Sequence, residues 1–185
     1  MDNKIIIIGG GASALMLAAL LPKNSATILE ANNKLGAKIL VSGGGKCNIT
    51  NERMGTEYFL GDQTFIEQPL KKFNEKALLR WLERQNLHPV LRKETQFFCK
   101  DSAKELLDIF QKESRKQQVC LNEEVLEVVK CDDIFYVKTK KNSYQAKAVV
   151  IASGGLSFPK LGASSIGYDI APVSLYTSPS PRDKF

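Results

Sequence analysis

A strand, a glycine-rich turn and an apolar helix fill the first twenty-one residues, and few folds begin in that way. Ile5 to Ile8 form an unbroken β-branched run, followed by Gly9-Gly10-Gly11-Ala12-Ser13-Ala14, an apolar stretch to Leu21, and a short run from Ala26 to Glu30. Branched residues in succession read as a strand buried on both faces of a parallel sheet. The glycines let the chain turn sharply while a pyrophosphate approaches the backbone, and Ala14 holds the third glycine position, where a small residue lets helix and strand pack closely. The helix that follows, stopped by Pro22, points its first amides and positive dipole end at the phosphates. Glu30 falls at the end of the second strand, about 20 residues after the glycines, where a carboxylate accepts from ribose hydroxyls. This is the pattern of a dinucleotide cradle for FAD or NAD, and an acid at Glu30 argues against a 2′-phosphate there. The alternative is a structural βαβ unit with no ligand.

At 185 residues, 43% hydrophobic and 25% charged, the chain suits one ordinary globular domain. Its net charge of +6 is spread thinly. The clusters Lys71-Lys72 and Arg115-Lys116 read as solvated helix faces, so no nucleic-acid partner is expected. Nothing approaches about eighteen consecutive apolar residues, and the Ile5 run is too short for a signal-peptide core. The expectation is therefore a cytoplasmic protein with no membrane partner. Cys47, Cys99, Cys120 and Cys131 form no C-x-x-C pair, and His88 is the sole histidine. No metal site and no Ser-His-Asp triad are expected from such a set.

Leu35 to Asn51 is the second informative stretch. Gly43-Gly44-Gly45 between Ser42 and Lys46 is poor material for either helix or strand, because glycine loses the most entropy on ordering. Lys38, Lys46, Asn48, Thr50 and Asn51 supply donors for phosphates or for a heteroaromatic ring edge. A polar surface loop fits the composition equally well.

Ser42-Gly43-Gly44-Gly45-Lys46-Cys47-Asn48-Ile49-Thr50-Asn51, together with Val149-Val150-Ile151-Ala152-Ser153-Gly154-Gly155-Leu156-Ser157-Phe158-Pro159-Lys160-Leu161-Gly162, resembles a bacterial family. It is that of the NAD(P)/FAD-dependent oxidoreductases of the BaiN and YhiN type, the aminoacetone-oxidase-like FAD-binding enzymes. The resemblance covers Met1 to about Ala171. It implies an α/β, glutathione-reductase-like FAD-binding Rossmann fold, a parallel sheet with an antiparallel β crossover, here truncated. It also implies site residues. Gly9, Gly11 and Ala14 would meet the pyrophosphate, Glu30 would hold the adenosine ribose, and Gly10, Ser13 and Ala31 would be cofactor-binding beside them. Lys38 and the loop of Ser42, Gly43, Gly44, Gly45, Lys46, Cys47, Asn48 and Thr50 would lie along the pyrophosphate and isoalloxazine. Val125 would present its backbone to the adenine, and Ala152, Ser153, Gly154 and Gly155 would close over the cofactor. Ser153 stands where relatives usually carry Thr. Lys93 to Cys99 departs further from the family pattern, which leaves the substrate open.

Between the two motifs, Asn74 is expected to cap a helix bearing Leu78, Leu79, Trp81 and Leu82, with Trp81 a core or interface residue. Ser102-Ala103-Lys104-Glu105 reads as a capping box ahead of Leu106, Leu107, Ile109 and Phe110. Strands are expected over Val119 to Leu121, Val125 to Val129, Ile134 to Thr139 and Tyr144 to Ile151, with turns at Asp132-Asp133 and Lys141-Asn142. That order suits a β crossover and favours FAD over NAD. Cys47 lacks a second cysteine a few residues away, so it reads as a packing residue rather than half of a redox dithiol. His88 reads as a turn residue. No catalytic residue is assigned.

The domain expectation is an incomplete FAD-binding domain over residues 1–171, lacking the substrate region and the C-terminal return. Residues 172–185 read as a non-native tail, since Leu175 to Asp183 resembles a translated transposase sequencing adapter; a Pro/Ser-rich linker is the alternative. The functional expectation is an FAD-dependent oxidoreductase acting on a small organic substrate, with NAD(P)H as a transient reductant. A non-catalytic FAD-binding fragment and an FAD-dependent tRNA-modifying enzyme are the alternatives. The oligomeric state is not readable.

Overall fold

β1 (Asn3–Ile8) lies between two parallel neighbours, β2 (Ala26–Glu30) and β9 (Ser143–Ile151). The computed structural model describes residues 3–156 and 165–170, which divide into two units; residues 1–38 and 110–185 belong to the first, and 39–109 to the second. In the first unit β6 (Gln118–Leu121) adds to the far side of β2, and β7 (Val125–Cys131) and β8 (Ile134–Thr139) form an antiparallel meander running into β9. The strand order is β6-β2-β1-β9-β8-β7. This Rossmann-type sheet with an antiparallel β crossover is the architecture expected from the sequence, and strand ends differ by no more than two residues.

β9 takes part in two kinds of pairing within one mixed sheet. Ser143 to Ala146 pair antiparallel with β8, whereas Ala146 to Ile151 run parallel to β1. Ala146 is the residue common to both registers and is 3% exposed in the core cluster, so a larger side chain there would overpack its neighbours. Ile6 and Ile8 project to one face and cluster with Leu29, Val125, Val137 and Ala146. Ile7 projects to the other face, as strand alternation requires, and it and Ile28 are fully buried. α1 (Ala12–Leu20) contributes buried Ala14, Leu15 and Ala18.

One side chain holds the C-terminal end of α1 to the start of β2. Buried Gln117 donates through Nε2 to the carbonyls of Ala18 (3.2 Å) and Pro22 (2.9 Å), and accepts through Oε1 from the amides of Ser25 and Ala26, both at 3.1 Å. An amide side chain can do this because it carries donors and an acceptor on one planar group. The carbonyls that a helix end leaves without partners are thereby satisfied where Pro22 prevents the helix from continuing.

The second unit contains a small antiparallel sheet, β3 (Asn48–Asn51), β5 (Gln96–Phe98) and β4 (Val90–Arg92), in the order β3-β5-β4. α3 (Gln63–Lys72) is capped by Asp62, and α4 (Glu75–Arg84) by Asn74, whose side chain accepts from Ala77 N at 3.0 Å. Trp81 is half-buried beside fully buried Leu82. α5 (Lys104–Ser114) begins at the expected capping box, where Glu105 Oε1 accepts from Ser102 N at 2.7 Å. Ser157 to Gly162 and residues 172–185, including the expected tail, lie outside the described residues.

Replacing Gln117 with Leu leaves carbonyls and amides buried without partners. A loss of on the order of 3 kcal/mol in unfolding free energy is expected, read as a lowered urea midpoint with an unchanged slope.

Candidate functional site

The turn after β1 is shaped by what lies against each glycine. Gly9 has φ +105, and a Cβ added to it would lie 2.5 Å from the carbonyl oxygen of Ala152, at the end of β9. Only glycine tolerates both that conformation and that approach. Ala152 N donates to Ile8 O at 2.9 Å, so the Ala152 to Gly155 turn and the Gly9 to Gly11 turn are held together. Gly10 is enclosed from the other side: its amide donates to Glu30 Oε2 at 2.5 Å, and a Cβ there would meet Leu35 and Glu30. At Gly11 a Cβ would meet nothing within 4 Å.

Gly11 is also the N-cap of α1, and no side chain caps it. The first-turn amides therefore have no side-chain cap among the described residues at the positive end of the helix dipole, a geometry that accepts an anion. Ser13 is exposed at this end, and Ala14 is fully buried, the small residue that close packing requires.

Glu30 is 8% exposed and anchors the opposite wall. Besides Gly10, it accepts from Asn32 through Oε1, at 2.7 Å from the amide and 2.6 Å from Nδ2. Oε1 already accepts twice, whereas Oε2 accepts once and retains a further lone-pair direction, so the carboxylate can still accept from a hydroxyl group. A small cleft of about 40 Å³, open to solvent, is lined by Gly9, Glu30, Ala31, Glu123, Val125, Ser153 and their neighbours. The hydroxyl oxygen of Ser153 is buried there and has no hydrogen-bond partner among the described residues. A Cβ at Gly154 would come within 3.9 Å of Lys38 Nζ, which puts that ammonium beside the same turn. The first unit thus gathers the sequence-predicted residues Gly9, Gly10, Gly11, Ser13, Ala14, Glu30, Ala31, Lys38, Val125, Ala152, Ser153, Gly154 and Gly155.

The remaining expected residues belong to the second unit, and their local structure is more regular than a surface loop. α2 (Ala37–Val41) runs into a 3₁₀ turn over Ser42–Gly45, and β3 begins at Asn48. Gly43 and Gly44 take left-handed angles, φ +56 and +67, which break the helix and turn the chain back. A Cβ at Gly43 would press on Asn48 N at 2.7 Å. Two backbone bonds from later in the chain fix this turn, Cys99 N to Lys46 O at 2.9 Å and Ala103 N to Gly45 O at 2.8 Å. Composition alone could not reveal these partners, which lie more than fifty residues further on. Gly43, Gly44 and Asn48 are exposed, while Ser42, Gly45, Lys46 and Thr50 are half-buried.

Cys47 is 6% exposed and Cys99 fully buried, and both are free thiols. Desolvation raises the Cys47 pKa, opposed by a hydrogen bond with Ser42. Desolvation likewise pushes Cys99 up to about 11, and repulsion from Cys47 adds to the effect. Thiols held neutral in this way are poor nucleophiles at neutral pH, in keeping with Cys47 as a packing residue. The sequence reading missed that Cys99 is its electrostatic neighbour; the β3–β5 pairing that brings them near was not anticipated. His88 is exposed in the turn after α4.

The sequence matches the model of the HI0933-like protein Rossmann domain over residues 3–176. The chain belongs to this family. It is 32% identical over 175 residues to a ribosomal RNA dihydrouridine synthase of Haemophilus influenzae, with 90% of this chain and 44% of the relative covered. Identity is 35% to the Escherichia coli protein of the same name, covering 90% and 43%. It is 31% to a 3-dehydro-bile acid delta(4,6)-reductase of Clostridium scindens, covering 91% and 43%. The chain therefore spans less than half the length of these relatives. In fold it is similar to the FrdA subunit of Escherichia coli quinol fumarate reductase, with a TM-score of 0.59 at 15% identity, 84% of this chain and 33% of that one being covered. Among the described residues no helix is long and apolar enough to cross a membrane.

Two measurements test this geometry. Gly9→Ala is expected to unfold the first unit or lower its melting temperature by more than 10 °C, whereas Gly11→Ala melts within a few degrees of the parent chain. The raised Cys99 pKa means that folding favours the neutral thiol, so its stabilising effect is complete below about pH 9 and disappears as pH rises towards 11. Relative to Cys99→Ala, the parent chain is expected to lose on the order of 3 kcal/mol across that window in urea unfolding.

Proposed function

We propose that the chain binds FAD and serves an oxidoreductase that reduces a carbon–carbon double bond in a small organic substrate, with NAD(P)H as electron donor. The observation that carries the FAD reading is the pairing of an open, uncapped helix start at Gly11 with the Glu30 carboxylate in one turn. Ser153, whose buried hydroxyl has no hydrogen-bond partner among the described residues, adds a polar group suited to a bound cofactor.

In this reading the α1 amides hold the pyrophosphate, Glu30 accepts from the adenosine ribose, and Val125 borders the adenine. Lys38 offsets phosphate charge from beside Gly154. When bound, the flavin supplies hydride chemistry, and the protein's part is to bind, orient and shield. The Glu30 carboxylate at the cleft disfavours a phosphorylated ribose, which supports FAD over a 2′-phosphorylated nucleotide.

The names of the relatives support the reaction class. Making dihydrouridine and reducing a delta(4,6) bile acid both add hydrogen to a carbon–carbon double bond. Two relatives act on ribosomal RNA, so a uracil ring in RNA is the second reading for the substrate.

Titration of the purified chain with FAD, followed in the visible spectrum, is expected to give a perturbed flavin band. Gly11→Ala is expected to weaken binding at least tenfold while remaining folded. Anaerobic NADH or NADPH is then expected to bleach the band. A perturbed band that neither nucleotide bleaches would favour a non-catalytic FAD-binding role, and an unperturbed one would overturn the FAD reading. Supplying a conjugated enone or unmodified ribosomal RNA to the reduced protein separates the two substrate readings by which one reoxidises it.

A further inference from the structure

Glu123 is a buried acid for which binding and reduction supply no task. It is 4% exposed, at the entry to β7, two residues before Val125. Its carboxylate faces the turn between β8 and β9 rather than solvent. Oε1 lies 2.5 Å from Thr139 Oγ1 and 3.0 Å from Asn142 Nδ2. Thr139 Oγ1 also accepts from the amides of Asn142 (2.8 Å) and Lys141 (3.2 Å). A hydroxyl has one proton to give. With its acceptor side occupied by two amides, the Thr139 proton goes to the nearby carboxylate, a stronger acceptor than the Asn142 carbonyl at 2.9 Å. Tyr144 on β9 adds a further side-chain hydrogen bond, and Lys141 a favourable charge. These interactions outweigh the cost of desolvation and leave the Glu123 carboxyl below its ordinary pKa.

The backbone of the same residue is tied to the cleft. Glu123 N donates to Glu30 O at 2.8 Å, Asn122 N to Asn32 O at 2.9 Å, and Lys140 N to Glu124 O at 3.0 Å. Glu123 therefore bonds through its backbone to the acid of the ribose wall and through its side chain to the meander. Val125 pairs with Thr139, the residue whose hydroxyl Glu123 holds, and a bulge separates that pair from the regular β7–β8 ladder that resumes at Glu127.

We propose that Glu123 is a positioning residue for the adenine wall: by clamping the β8–β9 turn through Thr139 and Asn142, it sets the Val125 backbone against the Glu30 end of the cleft and so confers selectivity for adenine. The inference rests on the FAD reading and assigns a role to three residues, Glu123, Thr139 and Asn142, that the sequence motifs pass over. A backbone edge recognises a base by its donor and acceptor pattern, and a displaced edge loses that discrimination before it loses affinity for the phosphates.

The test compares ADP with inosine diphosphate, which carries the same ribose and phosphates but a reversed hydrogen-bonding edge on the base. Binding to the whole chain is measured by calorimetry for the parent, Glu123→Ala, Glu123→Gln and Thr139→Val, with far-UV circular dichroism confirming the fold of each. The parent is expected to prefer ADP by about tenfold, the value of one well-placed hydrogen bond. Glu123→Ala and Thr139→Val are expected to bring the two affinities within about twofold, and Glu123→Gln, which keeps an acceptor oxygen, to restore most of the preference. A folded Glu123→Ala chain that retains the full ADP preference would overturn the positioning role alone. If the parent binds neither diphosphate, the positioning role and the nucleotide reading beneath it both fall. Should Glu123→Ala not fold, Thr139→Val decides by the same ratio.

Discussion

The Glu30 carboxylate, accepting from the amide of Gly10 across twenty residues of sequence, is the contact on which the candidate site depends. It fixes the turn after β1 against the end of β2, and its other oxygen organises Asn32. A nearly buried carboxylate needs such donors, because desolvating an unpaired charge is far more costly than losing a neutral hydrogen bond. Its ligand-binding potential follows from the same geometry, since Oε2, with a single donor, keeps one lone-pair direction unused. Gly9 completes the arrangement by letting Ala152 approach, which brings the Ser153 turn to the same cleft.

The glycine-rich turn divides its work between folding and binding. Gly9 and Gly10 are enclosed by protein atoms, and their lack of a side chain is a condition of folding. Gly11 borders empty space, where a side chain would fold without conflict. Three adjacent and chemically identical residues thus answer to different constraints, and only their surroundings distinguish them.

Much of the first unit was legible because its signals are local. The β-branched run of β1, the small residue at Ala14, the acid at Glu30 and the turns at Asp132-Asp133 and Lys141-Asn142 each act within a few residues. The second unit was harder. The β4–β5 hairpin turns through Lys93 and Glu94, both at positive φ, without the glycine or asparagine that usually marks such a turn. The Ser42 to Gly45 turn looked unstructured because its backbone partners come from Cys99 and Ala103. Gln117 and Glu123 carried no motif at all; their importance comes from carbonyls, amides and hydroxyls that only the folded chain brings to them.

The sharing of β9 between two registers bears on how the chain is made. β1 pairs on one side with β2, which is close in sequence, and on the other with β9, roughly 140 residues later. At ordinary rates of synthesis that separation amounts to about ten seconds or more in which one flank of an apolar strand has been produced before its partner. The meander, by contrast, is built from neighbouring strands and can register within microseconds once it leaves the ribosome. Its last strand is the missing flank, so the arrival of the hairpin ends the interval during which β1 is open to pairing with other chains.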